Sequence, residues 1–278
     1  MTRISSCFFN CSCLIALLFV FVSSCKKSAT NIDPVVIPTQ TTTPADTTKP
    51  TYTLVWSDEF NGNAVDTSKW VFENRNPGVN NELEYYQQQN VSVANGNLVI
   101  TAKKQTVGGQ PYTSGKITTF GKFSQQYGRI EASIAIPMGA GMWPAFWMLG
   151  NNIGTVNWPT CGEIDIMEHV NVDNFIYGTM HWNVNGHVSY GDKTTTTPAS
   201  FHLYAVEWDT NYIRWYVDNT LYVTGKIQNN VNGTDAFHLP FFIILNLAVG
   251  GDFPNTTIDD SKLPATMLVD YVRVYKAG

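Results

Sequence analysis

The amino-acid sequence predicts an all-β protein in which two sheets pack as a sandwich. Short segments of alternating apolar and polar residues recur along the chain, separated by turns rich in Gly, Asn and Pro. No stretch carries a convincing amphipathic helical stripe. Many strands without helices are typical of a two-sheet sandwich, and the absence of an internal repeat favours one domain.

Composition narrows the expected partners. The 278 residues are 44% hydrophobic and only 14% charged, with a net charge of -5 and no basic patch, so we expect no nucleic-acid partner. The chain holds 8 Trp, 13 Tyr and 15 Phe, which suit a neutral, flat-faced ligand such as a sugar, although many of them must fill the core. About 225 residues remain after the N-terminal segments, enough for one large β domain. We expect a monomer.

The N-terminal 24 residues have the pattern of a secretory signal peptide. Arg3 makes the start basic, and the apolar run over 14–22 is too short to span a bilayer. Residues 22–25, Val-Ser-Ser-Cys, resemble the lipobox of bacterial lipoproteins, in which the chain is cut before the Cys and the Cys carries lipid. We therefore predict a lipoprotein signal peptide over 1–24, a lipid on Cys25, and export across the inner membrane to the cell envelope or surface. The alternative is an ordinary signal peptide with a chance Cys.

The next segment, 25–51, is rich in Thr, Pro and Ser and poor in large apolar residues, which predicts a flexible tether. The folded domain is predicted over 52–278. If Cys25 is acylated, Cys161 has no partner for a disulfide. Cys161 directly precedes an apolar strand and is predicted to be a small buried residue.

Several strands can be predicted individually within the domain. Alternation with period two predicts strands over 129–136, 212–217 and 268–275. Asp218-Asn219 is a tight-turn pair that leads into a strand over 221–223. The continuous apolar run 241–249 predicts a strand buried on both faces. Trp208 and Trp215 are predicted to lie in the core.

Three acids, Glu163, Asp165 and Glu168, interrupt a segment that otherwise has the pattern of a buried strand. Alternation places Glu163 and Asp165 on one face of the strand and Glu168 on the other. One extra residue at 166–167, a β-bulge, would return Glu168 to the first face. Three carboxylates this close repel one another, so at least one pKa is predicted to rise above its usual value of about 4.3.

Such a cluster suits glycoside hydrolysis by a retaining mechanism. One ionised carboxylate attacks the anomeric carbon, while a second, protonated carboxyl helps the leaving oxygen depart. Two interpretations compete with this one: acids that are only solvated, and a calcium site, for which one strand face supplies too few oxygen ligands. His169, adjacent to Glu168, points to the opposite face and is predicted to be structural rather than a zinc ligand.

The acidic segment resembles the signature of glycoside hydrolase family 16, Glu-x-Asp-x-x-Glu. Further segments resemble the laminarinase branch of that family, namely 81–86, 127–132, 141–149 and 245–251. Laminarinases, agarases and carrageenases usually have the extra residue before the last Glu, whereas lichenases usually lack it. The resemblance covers roughly 53–276 and implies a β-jelly-roll sandwich with a concave substrate cleft.

The resemblance implies a retaining endo-hydrolase of laminarin-type β-1,3-glucan that needs no cofactor for catalysis. It assigns Glu163 as the nucleophile, Asp165 as the assisting acid and Glu168 as the general acid/base. The alternatives are a hydrolase of mixed-linkage β-1,3/1,4-glucan or of a marine galactan, and a noncatalytic glucan-binding surface lipoprotein. A noncatalytic protein would need an aromatic cleft but no acids.

Other residues are candidates for substrate contact. By resemblance, Trp143 and Trp147 are predicted to face the cleft, where flat indole rings suit the C–H faces of glucose, and packing in the core is the alternative. Asn246 interrupts an apolar strand and is predicted to face the cleft, because a buried amide needs partners. By resemblance, Asn81 and His181 are also substrate-binding residues.

Two further predictions concern positions away from the acids. Arg129 is a candidate for holding a carboxylate or a substrate hydroxyl, with a surface ion pair as the alternative. Members of the family often bind one structural Ca²⁺ on the convex face. The matching positions here are Glu59, the Gly96 carbonyl and Asp270, and so few protein ligands imply several waters.

Overall fold

The computed structural model describes residues 51–278, and these residues form an open sandwich of two sheets. The predicted signal peptide, the tether and the lipidated Cys25 lie outside the described residues. Within 51–278, no helix is both long enough and apolar enough to cross a membrane.

The described chain contains strands and short 3₁₀ segments. The strands are β1 (Tyr52–Asp58), β2 (Val71–Phe72), β3 (Glu84–Tyr86), β4 (Val91–Ala94), β5 (Asn97–Val107), β6 (Gln110–Ser114), β7 (Lys116–Thr118), β8 (Gly128–Ala135), β9 (Met142–Gly150), β10 (Glu163–Glu168), β11 (Phe175–Asn183), β12 (His187–Thr195), β13 (His202–Trp208), β14 (Tyr212–Val217), β15 (Thr220–Lys226), β16 (Phe241–Val249) and β17 (Ala265–Ala277). The 3₁₀ segments are Gln88–Asn90, Gln228–His238 and Asp260–Lys262.

The two sheets interleave strands that are distant in sequence. The ten-stranded sheet has the order β15-β14-β13-β8-β17-β5-β6-β3, with β1 paired to β17 and β4 paired to β5. The seven-stranded sheet has the order β12-β11-β10-β9-β16-β7-β2. The predicted all-β, two-sheet jelly-roll architecture is therefore confirmed.

The core lies between the two sheets and contains the residues that the alternation predicted. Every residue of β16 is buried, as the continuous apolar run required. Trp208 and Trp215 are buried, and the buried residues of β14 alternate with half-buried ones. Asp218 and Asn219 have φ values of 49° and 64°, the left-handed conformation that a tight hairpin needs. The predicted strand at 129–136 begins and ends one residue earlier, as β8.

Two residues predicted to be structural are buried in the interior. Cys161 is a free thiol, and burial raises its pKa to about 11, which leaves little reactive thiolate. His169 is completely buried, and its Nε2 lies 2.9 Å from the carbonyl oxygen of Asp173. Burial lowers the pKa of His169, so its imidazole is neutral.

Candidate active site

The predicted bulge is present in β10. Asp165 pairs with Trp147 of β9, and Met167 pairs with the next β9 residue, Phe146, so one residue of β10 is extra at this point. The pairing of β10 with β11 on its other side is also irregular, between Asp165 and Glu168. Because the bulge shifts the alternation by one, Glu168 returns to the face that carries Glu163 and Asp165, and all three acids line one cavity of about 100 Å³.

Residues adjacent to the acids fill the space between the sheets and hold β10 in place. Ile164, Ile166 and Met167 are at most 1% exposed, so both residues of the bulge pack into the core. Trp215 of the opposite sheet donates its indole N–H to the carbonyl oxygen of Asp165 at 2.7 Å. This bond satisfies a backbone carbonyl next to the irregular part of the strand and so stabilises the bulge.

Burial controls the charges of the acids. Asp165 is 3% exposed and Glu168 is 9% exposed, whereas Glu163 is only half-buried. Loss of solvation is the largest cause that raises the pKa of each acid, and the neighbouring Asp165 carboxylate raises the pKa of both Glu163 and Glu168 further. The pKa of Glu168 reaches about 8, so this side chain keeps its proton at neutral pH.

Trp143 contacts Glu168 directly. Its indole N–H donates to Oε1 of Glu168 at 2.9 Å, and Phe253 packs edge-on against the indole with 5.6 Å between ring centroids. The hydrogen bond favours the ionised carboxylate and lowers the pKa of Glu168, which partly offsets the effect of burial. Trp143 therefore forms a wall of the cavity and also lowers the pKa of Glu168.

Substitution Trp143→Phe is expected to move the alkaline limb of the pH profile of kcat/KM to higher pH. Phenylalanine keeps the aromatic contact but removes the N–H donor, so the pKa of Glu168 rises and the acid stays protonated at higher pH. A hydrogen bond to a charged group is worth about 1.5 kcal/mol, which corresponds to a shift of about 1 pH unit. Trp147→Phe is the matched control and should leave this limb in place, whereas an unmoved limb in Trp143→Phe would contradict the assignment.

Trp147 and Asn246 face the cavity and are joined by hydrogen bonds. The indole N–H of Trp147 donates to Oδ1 of Asn246 at 2.7 Å, and the Asn246 amide donates to the Tyr86 hydroxyl at 3.0 Å. That hydroxyl donates to Oε2 of Glu82 at 3.3 Å. Lys116 lies over the Trp147 ring at 5.2 Å from its centroid. These contacts fix the ring of Trp147 in the cavity wall.

His181 lies beside Asp165. Its Nε2 is 3.0 Å from Oδ2 of Asp165, and its Nδ1 is 2.8 Å from Nε2 of His187. The two imidazole rings stack at 18°. Glu163, Asp165 and His181 each place one side-chain oxygen or nitrogen within 4.8 Å of the others.

Asn81 does not line the acid cavity. Asn80 and Asn81 both have left-handed backbone conformations, with φ values of 52° and 54°. The Asn81 amide donates to Oδ1 of Asp252 at 2.7 Å, while Asn80 and Glu82 line the cavity. Asn81, which was predicted to bind substrate, is therefore adjacent in sequence to two residues that line the cavity.

Arg129 does not line the acid cavity, so the prediction that it contacts substrate in the catalytic cleft is corrected, and the alternative, an ion pair, is observed. It points to the outer face of the ten-stranded sheet, because Ile130 next to it is buried between the sheets. Its Nε donates to Glu131 at 2.7 Å, and its Nη1 donates to Glu207 at 3.1 Å. Arg129 does hold carboxylates, but they belong to its own sheet.

The predicted calcium positions gather beside β17. Asp270 is an exposed residue of that strand. Glu59 directly follows β1 and Gly96 directly precedes β5, and both β1 and β5 pair with β17. Arg273 donates to both carboxylate oxygens of Glu59, at 3.0 and 2.7 Å, so this carboxylate is already paired with a guanidinium. The calcium site stays a prediction, and its candidate ligands are oxygen atoms of the kind that Ca²⁺ prefers.

Sequence reasoning missed several residues of the cavity wall. They come from a loop and from strands far apart in the chain, and they are Val79, Asn80, Tyr86, Lys116, Ala145 and Ala248. The alternation of Glu82, Glu84 and Tyr86 was a signal that these side chains share a face. Their place beside Asn246 depends on pairing between distant strands.

Comparison with known proteins identifies the family. The profile of the glycosyl hydrolases family 16 matches residues 80–273. The beta-glucanase of Rhodothermus marinus is 39% identical over 247 residues, which cover 82% of this chain and 86% of that protein. The clotting factor G alpha subunit of Tachypleus tridentatus is 43% identical over 234 residues, which cover 82% of this chain but 34% of the subunit.

A solved structure agrees with the sequence comparison. The laminarinase from Rhodothermus marinus superposes with a TM-score of 0.78 at 38% identity, and the match covers 82% of this chain and 99% of that chain. Members of the family need no catalytic cofactor. The chain belongs to glycosyl hydrolase family 16 and is a glycoside hydrolase.

Proposed function

We propose that the protein is a retaining endo-hydrolase of laminarin-type β-1,3-glucan. The observation that carries the proposal is the bulge in β10, which brings Glu168 to the face of Glu163 and Asp165 in a cavity bounded by Trp143 and Trp147. Acids and aromatic rings on one face are what a retaining glycosidase requires. The relatives described above as laminarinase and beta-glucanase support a β-glucan as the substrate.

The protonation states suit two displacement steps. Asp165 is the more deeply buried member of the Glu163–Asp165 pair, so the proton that the pair retains is best held on Asp165. Glu163 is then the ionised nucleophile. Burial and a charged Asp165 raise the pKa of Glu163, and a proton held on Asp165 removes the second of these causes, while His181 acts to lower this pKa. Glu168, protonated at neutral pH, gives its proton to the leaving oxygen as Glu163 attacks the anomeric carbon.

The second step reverses the role of Glu168. After the leaving chain departs, Glu168 is ionised and accepts a proton from water. The oxygen of that water bonds to the anomeric carbon as the bond from this carbon to Glu163 breaks. Two inversions at the anomeric carbon give net retention. Glu168 regains its proton in this step, so the enzyme returns to its starting protonation state.

The position of β10 favours cleavage within a chain. In the seven-stranded sheet, β11 and β12 lie on one side of β10, and β9, β16, β7 and β2 lie on the other. The acids therefore lie in the interior of the sheet, with further strands on both sides along which a polysaccharide chain can extend. An endo-acting enzyme requires this arrangement.

Product analysis tests the proposal. Laminarin, lichenan, agarose and xyloglucan are digested in parallel, and early products are resolved by size. We expect laminarin to give a ladder of β-1,3-linked oligosaccharides from the first minutes, and Glu163→Gln to give none. Cleavage of agarose but not laminarin would favour a galactanase, and binding of laminarin without release of reducing sugar would favour a noncatalytic glucan-binding protein.

We also propose a structural Ca²⁺ held by the carbonyl oxygens of Glu59 and Gly96 and the carboxylate of Asp270. A bound ion stabilises only the folded state, so EDTA is expected to lower Tm by about 5–10 °C. Asp270→Asn should have a low Tm that no longer responds to EDTA. An identical Tm with EDTA and with excess Ca²⁺ would contradict the site.

We propose, finally, that the enzyme is a monomer exported and anchored at the cell envelope by a lipid on Cys25. The lipobox-like residues 22–25 support this. Labelling of cells with an alkyne fatty acid should tag the protein, and Cys25→Ala should remove the tag and release the protein from membranes. Equal labelling of both forms would contradict the anchor.

A further inference from the structure

A second cavity opens on the outer face of the ten-stranded sheet, away from the acids. Its volume is about 620 Å³, within the usual range for ligand sites, and its walls come from β1, β8, β13, β14 and β17 and the β14–β15 turn. Ile130 and Ala132 of β8 point into the core, so Arg129 and Glu131 point outward into this cavity. The cavity and the acids therefore lie on opposite faces of the sandwich.

Arg129 forms the floor of this outer cavity and has donors to spare. Its side chain is 11% exposed, and it donates one hydrogen bond each to Glu131, Glu207 and the Asn219 side-chain oxygen. A guanidinium has five N–H groups, so two of them make no hydrogen bond to residues 51–278. The Asn219 amide nitrogen also has no hydrogen-bond acceptor among residues 51–278 and adds two more donors.

Acceptors lie beside these donors. Glu131 accepts from the Tyr275 hydroxyl at 3.2 Å, and Glu207 accepts from the Tyr216 hydroxyl at 2.8 Å. Each carboxylate has lone pairs beyond those used by Arg129 and a tyrosine. Neighbouring donors and acceptors match the vicinal hydroxyls of a sugar, because each hydroxyl both donates and accepts a hydrogen bond.

Charge and aromatic surface narrow the ligand class. The cavity contains one arginine and two glutamates, Glu131 and Glu207, so its charged side chains carry more negative than positive charge. This disfavours anionic ligands such as phosphate, sulfated polysaccharide and nucleic acid. Tyr52 and Tyr275 pack edge to face with 6.5 Å between ring centroids and form an aromatic wall. Such a wall suits the C–H face of a neutral sugar ring.

We propose that the outer cavity is a second, noncatalytic binding site for a neutral β-glucan chain. The inference rests on the proposed function, because it takes the polymer that the acids cleave as its ligand. A chain held on the face opposite the acids keeps the enzyme on insoluble polysaccharide and raises the local concentration of bonds to be cut.

Adsorption to insoluble β-1,3-glucan (curdlan) tests this site. All forms carry Glu163→Ala so that the polymer is not degraded. Asn219→Gly removes the amide and keeps the left-handed turn, because Asn219 has a φ of 64° and glycine adopts this conformation freely. Combined with Tyr52→Ala, it is expected to weaken adsorption about tenfold, which is about 1.4 kcal/mol.

Two matched variants separate ligand binding from folding. Asn95→Gly makes the same change at another left-handed turn position of the sheet, where φ is 52°, and should adsorb like its Glu163→Ala parent. Tyr52→Phe keeps the aromatic wall and should do the same. A thermal melt of each variant tests whether it is folded. If the double variant is not folded, Asn219→Gly and Tyr52→Ala are measured separately.

The second site is overturned if folded Asn219→Gly and Tyr52→Ala variants adsorb like the parent, or if Asn95→Gly loses as much adsorption as they do. Hydrolysis of soluble laminarin by the unaltered protein is measured separately. Laminarin hydrolysis with unchanged adsorption of the variants refutes the second site alone. Absence of laminarin hydrolysis refutes the proposed function itself.

Discussion

Glu163→Ala is expected to lose at least about 10⁴-fold in turnover and to regain activity with azide, giving a glycosyl azide of inverted configuration. Alanine removes the carboxylate that attacks the anomeric carbon and leaves a space next to Asp165. A small anion such as azide can enter that space and attack from the same side. Because only one inversion then occurs, a nitrophenyl β-laminaribioside should yield the α-azide.

Asp165→Ala is the matched control for this rescue. Its carboxyl lies in the same cavity and in the same strand, but it is assigned to hold a proton and not to attack carbon. We expect reduced activity in this variant and no glycosyl azide. NMR of the anomeric proton distinguishes the products, and a β-azide from Glu163→Ala would reverse the roles of Glu163 and Glu168.

Glu168→Ala is expected to give the second large effect, a loss of about 10²–10⁴-fold that depends on the leaving group. Natural glucan needs the proton of Glu168 for its leaving oxygen, so its cleavage suffers most. A nitrophenolate leaves without assistance, so the glycosyl-enzyme still forms at Glu163. Azide then attacks this intermediate without needing a base, and two inversions give the β-azide.

Glu168→Gln tests the same role with less change in shape. Glutamine keeps an acceptor for the indole N–H of Trp143 but cannot transfer a proton. We expect loss on laminarin close to that of Glu168→Ala, with nitrophenyl glycosides less affected. Equal loss on both classes of substrate would contradict a general acid role and would indicate that Glu168 acts in binding.

The sequence predicted local features of the fold best. The strand at 212–217, its hairpin at Asp218-Asn219 and the buried run 241–249 were all predicted, because each follows from neighbouring residues alone. The β10 bulge was also predictable, since regular alternation would turn Glu168 away from Glu163 and Asp165, and one extra residue returns it to their face.

Features that depend on distant pairing were predicted less well. The hydrogen bond from Asn246 to Tyr86 joins residues 160 positions apart, and no local pattern specifies it. Arg129 was predicted to hold a carboxylate or a substrate hydroxyl, and it does hold carboxylates, but on the outer face of the ten-stranded sheet. Its partner Glu207 belongs to a different strand, β13, so the local sequence does not specify this pair. Asn81 was predicted to bind substrate, but its neighbours Asn80 and Glu82 line the acid cavity, and the Asn81 amide donates to Asp252.

Trapping of the covalent intermediate tests the central claim most directly. A 2-deoxy-2-fluoro-laminaribioside with a good leaving group is incubated with the enzyme, and the labelled peptide is sequenced by mass spectrometry. The account predicts one adduct, on Glu163, with Glu168 unmodified. An adduct on Glu168, or full turnover of natural glucan by Glu163→Ala without any added nucleophile, would contradict it.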